Sequence, residues 1–531
     1  MLAFWVVCEE MKRSYLAIVG IILIAIFTIS VGYYATKPAP RQPRQYPTVV
    51  LGATVGILTN LDPGQAYGSG DLSLNNVVFD PLYEVPPIFP AAKLAPRLAA
   101  SDPIVSADSL HWTIALRQGV KFQDGTPFNA TAVKFSFDRM KDLKSYSSWI
   151  LDSVQSIDIV DLYTVRLNLK YPNAALKGAL TMPVAAPVSP SAVNRMGLES
   201  FQALPVGTGP FKYVEWVKGD HLTLAPFEDY WNMSRVPKVN VVYKIFSDSA
   251  ALKLALEKGD VDIAWNYIAF SDYASLETDP SIKHVVAAQG SQQLLHLNVG
   301  MPDSPLHDVR VRKAIAFSID QKEISEKIYH GVYTPSEETF FLPGFYPKPS
   351  WTQYKPTNIA KAKELLNAAG YPNGIDVTLA FNPVAFGRET GDVAALIREQ
   401  LGRADIRVTL RTAERAALNA GQFEMSVGLV TPDYLDADSV ASFVTSHSWL
   451  ARKVRLNDTL VDLLAQQAVG TTDPAQREKT YGDLQDRLAN LVVFVPLVNV
   501  ITYQFYRTNV IGVLPYYFQY TPWWTIDKKT S

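Results

Sequence analysis

Residues able to do covalent chemistry are scarce here in usable arrangements. Seven histidines stand at positions 111, 221, 284, 296, 307, 330 and 447, with no two at the helical spacing that binds one metal ion. There is no Gly-x-Ser-x-Gly elbow, no His-Glu-x-x-His pair and no phosphate-binding Gly-x4-Gly-Lys loop. Gly68-Ser69-Gly70 belongs to no longer glycine fingerprint and reads as a turn without a helix behind it. The sole cysteine, Cys8, rules out an internal disulfide or a CxxC redox pair. These absences predict a protein that is not an enzyme, with no catalytic residues, no bound metal and no cofactor. Side chains that could hold a small solute are more plentiful. Aromatic residues make up 11% of the chain, and the Trp265-Asn266-Tyr267 cluster follows a strand-like run. It suits either a sugar-stacking platform or core packing.

Such side chains need a scaffold, and the chain is long enough for several units. Its 531 residues suggest about three. The hydrophobic fraction of 48% excludes bulk disorder, and a net charge of −2 gives no basic footprint for nucleic acid. Only Tyr15–Ala35 is apolar for long enough to span a bilayer; about 21 residues make a helix of about 31 Å. Lys12 and Arg13 precede it, so 1–35 reads as a signal sequence or membrane anchor. Cys8 lies before this run and cannot be a lipid-attachment site at its end. Four prolines within Thr36–Pro47 read as an extended spacer.

Beyond Pro47, strand-like and helix-like segments alternate, which argues α/β. Thr48–Leu58, Trp112–Leu116 and Thr164–Leu169 read as strands. Asn129 reads as a helix cap, Ser249–Lys258 as a helix closed by Gly259, and Asn358–Ala369 as a helix closed by Gly370. Thr390–Leu401 and Pro474–Leu491 read as amphipathic helices.

Several segments resemble, in order, the motifs of family 5 extracellular solute-binding proteins, the peptide/nickel-type receptors of ABC importers. Trp112–Ala130, with Gln118-Gly119, Asp124-Gly125-Thr126-Pro127 and Phe128, is similar to the family signature. Leu61-Asp62-Pro63, Gly207-Thr208-Gly209-Pro210-Phe211, Asp229-Tyr230-Trp231-Asn232, Leu256–Asp262, Asp308–Asp320 and Asp433-Tyr434-Leu435-Asp436 follow. Read physically, most look structural: Asp124–Pro127 as a turn, Gly207–Pro210 as a bend, Arg310 and Arg312 as ion-pair partners at a helix start beside Asp308, and Trp231 as core.

The resemblance implies a periplasmic-binding-protein-like fold of type II, with two α/β lobes and an additional domain inserted in the first. The expected division is 48–77 with 206–291 and 497–531 for lobe I, 78–205 for the insert, and 292–496 for lobe II. The chain should cross between lobes near Gln292–Asn298 and Val493–Val500, with Asn298 as a hinge residue. The implied function is capture of a small solute between closing lobes and its delivery to an ABC permease. An oligopeptide leads, with an oligosaccharide or a metal chelate as alternatives. The alternative functions are a ligand-sensing receptor of the same fold and, remotely, a hydrolase. The chain is expected outside the cytoplasm, tethered to the membrane by its N-terminal helix or secreted after cleavage, and monomeric.

The resemblance also nominates site residues. Asp433 matches the acid that pairs with a peptide's α-amino group in relatives, and a loop acid capping a helix near Ala437 is its structural alternative. Tyr434, Trp265, Asn266, Tyr67 and Asn382 are the other candidates. Arg388 is the nearest arginine for a ligand carboxylate, but it stands out of register. The family's aromatic wall before the acid is replaced by Leu429-Val430-Thr431-Pro432. Both departures weigh against an ordinary short peptide.

Overall fold

The computed structural model describes residues 44–54, 58, 60–86, 94–265, 268–340, 349–515 and 522–529. Tyr15–Ala35, most of the proline-rich spacer, Asn266 and Tyr267 lie outside them. No helix among the described residues is long and apolar enough to cross a membrane. Pro47–Ser531 forms one compact unit, and it is the one described below.

One eleven-stranded sheet runs through that unit. From one edge its order is Ile406–Thr412, Ile375–Phe381, Met425–Val430, Ile282–Leu297, Phe494–Arg507, Ile263–Ala264, Thr48–Ala53, Asn240–Ile245, His221–Pro226 and Phe211–Val217. Thr334–Pro335 pairs off to the side of Phe494–Arg507. Parallel pairs lie in both halves: Thr48–Ala53 beside Asn240–Ile245, and Ile375–Phe381 beside Ile406–Thr412. The two longest strands join the halves. Ile282–Leu297 and Phe494–Arg507 pair antiparallel, with a register break between Ala288 and Ser291. A separate four-stranded antiparallel sheet holds Ile104–Val105, His111–Ala115, Thr164–Leu169 and Val154–Asp161.

Burial follows this division. Val49, Leu51, Val241 and Trp523 fill a core under the first half, and Leu295, Ile315, Leu379 and Ile397 fill one under the second. The four-stranded sheet has its own core around Trp112, Phe122, Phe137 and Leu167.

Local chemistry sets the helix ends. Side chains of Asn129, Asp248 and Asn358 each accept a backbone N–H three residues on, filling donors that the first turn leaves open. Gly259 closes Ser249–Lys258 at φ +86°, where a side chain would be strained. Pro474–Leu491 is helical over the predicted range.

Four expectations change. The first strand ends at Ala53, short of Leu58. A helix, Ser69–Val78, does follow Gly68. Gly207 and Gly209 serve close approach more than bending: a Cβ at either would lie within 2.6 Å of the Val78 carbonyl. Arg310 does pair with Asp308, but Arg312 turns inward and donates to the carbonyls of Leu491, Leu306 and His307. Those carbonyls lie at the C-terminal ends of the helices Pro474–Leu491 and Pro305–His307, and a buried guanidinium satisfies several at once.

His296 is a core residue with a pH consequence. It is buried against Phe494, and its ring fills the space above Gly428. Neither ring nitrogen has a hydrogen-bond partner among the described residues. Burial, reinforced by the Lys453 cation, holds the imidazole well below its ordinary value. The unfolded chain takes up a proton below about pH 6.5, whereas the folded chain does not. Stability from this group is therefore present at neutral pH and falls with acidification. Against His296→Leu, wild type is expected to lose up to about 1.4 kcal/mol per pH unit below pH 6.5. Urea unfolding at pH 7.5 and 5.5 measures it; a pH-independent difference contradicts the assignment.

Candidate functional site

The site begins where Met425–Val430 leaves the sheet. Three acids follow within six positions, and the fold treats each differently. Asp436 is gripped by Arg477 through two bonds, at 2.8 and 2.7 Å, and also accepts the Asp438 N–H at 2.8 Å. Asp438 accepts the Tyr434 hydroxyl at 3.0 Å. Burial, together with the Asp436 charge, pushes its carboxyl up to about 7 against the opposing pull of Tyr434 and Arg477. Ser439 Oγ accepts the N–H groups of Asp433 and Tyr434, fixing the chain at the acid itself. The first N–H of Asp438–Ala441 is thus met by Asp436, and no bond from the Asp433 carboxylate to that helix occurs among the described residues.

Asp433 is left beside Tyr67, which packs against the core of the four-stranded sheet. It is half-buried, and desolvation pushes its carboxyl up to about 7, opposed only by a hydrogen bond from Tyr67. No cation among the described residues offsets that burial. Tyr67 in turn accepts the indole N–H of Trp149 at 3.2 Å. Trp149 also packs on the Tyr434 ring, with centroids 6.0 Å apart. Gly178 lies under the loop, where a Cβ would stand 3.1 Å from Tyr434 and 3.3 Å from Asp436. Asp433, Tyr434 and Tyr67 therefore meet, as an arrangement of one acid and two phenols supported by an indole.

The other candidates are placed elsewhere. Trp265 is buried in a T-shaped pair with Trp523, centroids 5.1 Å apart, so it serves the core. Asn382 is buried and donates to the Ala413 carbonyl at 2.7 Å. Arg388 is exposed, and its charge acts on Asp248 in the first half of the molecule. Asn298 donates to the carbonyls of Gly421 and Phe423, both at 3.0 Å, pinning the end of Ile282–Leu297. Trp231 is half-buried, with its N–H on Asp80 and the Arg117 guanidinium over its face. No cluster of three or more metal-ligating side chains occurs among the described residues.

Trp149, Gly178, Ser439 and Arg477 were missed by sequence reasoning. Only Arg477 left a signal: it shares one helix face with Tyr481, Leu484 and Leu488, an odd place for a solvated cation.

Two α/β halves joined by a pair of long strands define a periplasmic-binding-protein-like fold. The chain belongs to the bacterial extracellular solute-binding proteins, family 5, whose model matches residues 93–450. Glutathione-binding protein GsiB of Escherichia coli K12 is 30% identical over 416 residues, covering 74% of this chain and 78% of that protein. Among solved structures, the binding protein AgaA of A. tumefaciens R10, in complex with agropinic acid, matches with a TM-score of 0.78 at 26% identity. The match covers 91% of this chain and 99% of that one. DppA of Helicobacter pylori, in complex with a peptide, matches with a TM-score of 0.76 at 23% identity, covering 91% and 98%.

Proposed function

We propose that this chain is the extracytoplasmic receptor of an ABC importer and that it captures a small, amino-bearing, peptide-like solute between two closing lobes. The observation that carries the reading is Asp433. It is the one acid of its loop with no cation or structural clamp, and its burial is costly until a positive group arrives. A primary ammonium fits, because it brings three donors and one charge to a carboxylate already oriented by Tyr67.

GsiB is named for binding glutathione and DppA is solved with a peptide, which supports this class. The burial of Trp265 in the core weighs against a sugar platform there. In this reading lobe I comprises 48–77, 206–291 and 497–531, the insert 78–205, and lobe II 292–496. Lobe closure is the signal passed to the permease. Tyr15–Ala35 serves as the tether or signal sequence, and the receptor works as a monomer without cofactor or catalysis.

A thermal-shift panel of trialanine, glutathione, agropinic acid, maltotriose and nickel–histidine tests the class. Stabilisation by an amino-bearing solute, without turnover, is expected. Stabilisation by the sugar alone, or hydrolysis of a bound peptide, contradicts it.

A further inference from the structure

The loop that carries Asp433 docks on the core of the four-stranded sheet. Tyr434 is 3% exposed and belongs to that core. Tyr67 and Trp149, both half-buried, pack against it. Trp149 lies in the short turn Tyr146–Leu151, which follows the helix Ala130–Leu143.

Trp149, Tyr67 and Asp433 form a chain of hydrogen bonds with a fixed direction. An indole N–H only donates, a carboxylate only accepts, and a phenol carries one proton. Trp149 Nε1 donates to Tyr67 Oη at 3.2 Å, and Tyr67 donates to the Asp433 carboxylate. With the indole on its oxygen, the Tyr67 hydroxyl has its proton turned to Asp433. Donation into the phenol oxygen also strengthens the bond that it makes onward. Burial does not force the first bond, because a half-buried indole N–H can meet water instead.

The backbone before Tyr67 is tied to the same segment. The hydroxyls of Ser145 and Ser147 donate to the Gly64 carbonyl at 2.5 and 3.0 Å. Arg139, on the helix, holds the fully buried Asp62 through two bonds. Asp62 in turn accepts the Gly64 N–H at 3.1 Å on its side chain, and the Gln65 and Ala66 N–H groups on its carbonyl. One stretch of chain, 139–149, thus fixes both the loop under Tyr67 and the tip of its side chain.

We infer that Trp149 is a positioning residue of the solute site: its indole N–H holds the Tyr67 hydroxyl so that the phenolic proton points to Asp433, which orients the carboxylate for the solute. The relay rests on the bonds described here. That the solute group met by Asp433 is an ammonium rests on the function proposed above. In the division of lobes proposed there, Trp149 gives the inserted domain a part in binding, although its indole N–H is spent on Tyr67.

The test uses Trp149→Phe, Trp149→His, Tyr67→Phe and the pair Tyr67→Phe with Trp149→Phe, each in the full chain and each checked for a cooperative melt. The solute giving wild type its largest shift in the panel above is titrated by calorimetry. Trp149→Phe keeps a ring against Tyr434 and removes the N–H. Trp149→His gives up much of the ring, but its Nε2 takes the place of the indole nitrogen. Trp149→Phe is expected to weaken binding about three- to tenfold, and Trp149→His to bind more tightly than Trp149→Phe. In the Tyr67→Phe background, Trp149→Phe is expected to change affinity by less than about twofold, because no hydroxyl remains to be held. An equal loss in both backgrounds overturns the inference, because Trp149 then acts by packing on Tyr434. So does a Trp149→Phe variant that binds as tightly as wild type, or as tightly as Trp149→His. If the titrated solute has no amino group, the ammonium reading fails, while the relay is still judged by the same comparison.

Discussion

Asp433→Asn is expected to weaken trialanine binding by about 2–5 kcal/mol, the loss seen when one member of a buried charge pair is removed. The fold explains why so much rests on one side chain. Its neighbours Asp436 and Asp438 are committed to Arg477 and Tyr434, whereas Asp433 has only the Tyr67 hydroxyl. The pH dependence follows from burial, which pushes the carboxyl up to about 7. An ammonium needs the ionised form, so below pH 7 the ligand must first displace a proton. Affinity is expected to fall as pH drops below 7, approaching tenfold per unit, and to fall again above about pH 8, where the peptide's own α-amino group loses its proton. Asp433→Asn should flatten this profile. Calorimetric titrations between pH 5.5 and 8.5 measure both effects, and a wild-type affinity constant across that range would contradict the assignment.

The second large effect lies behind the site. Arg477→Ala strands Asp436 in a mostly buried position, with its side chain 14% exposed, and is expected to destabilise the protein by about 3–5 kcal/mol. Urea unfolding measures this. Because Asp436 also holds the Asp438 N–H, the loop that presents Asp433 should loosen, and solute affinity should drop although Arg477 never touches the solute. Pairing Arg477→Met with Asp436→Leu removes both charges and should recover much of the stability but not the affinity. If the single variant is as stable as wild type, the clamp does not hold the loop.

Local order was highly legible in the sequence. Caps such as Asn129 and Asn358, the Gly259 closure and the Pro474–Leu491 helix depend on neighbours a few residues away, which spacing reveals. The family motifs brought Asp433 and Tyr434 to notice. What spacing did not reveal is which acid is left unclamped. That depends on Arg477 reaching Asp436 from 41 positions away, and on Trp149 reaching Tyr67 from 82. The same holds for Trp265, which pairs in the core with Trp523, 258 positions away. Arg312 looked like a surface ion-pair partner because charge pattern carries no burial.

The most direct test of the central claim compares trialanine with N-acetyl-trialanine by calorimetric titration of the wild-type protein at pH 7.5. The account predicts that trialanine binds, and that acetylation, which removes the positive charge while keeping the rest of the solute, weakens binding at least about thirtyfold. Equal affinity for the two solutes would contradict it, because Asp433 would then not be holding an ammonium.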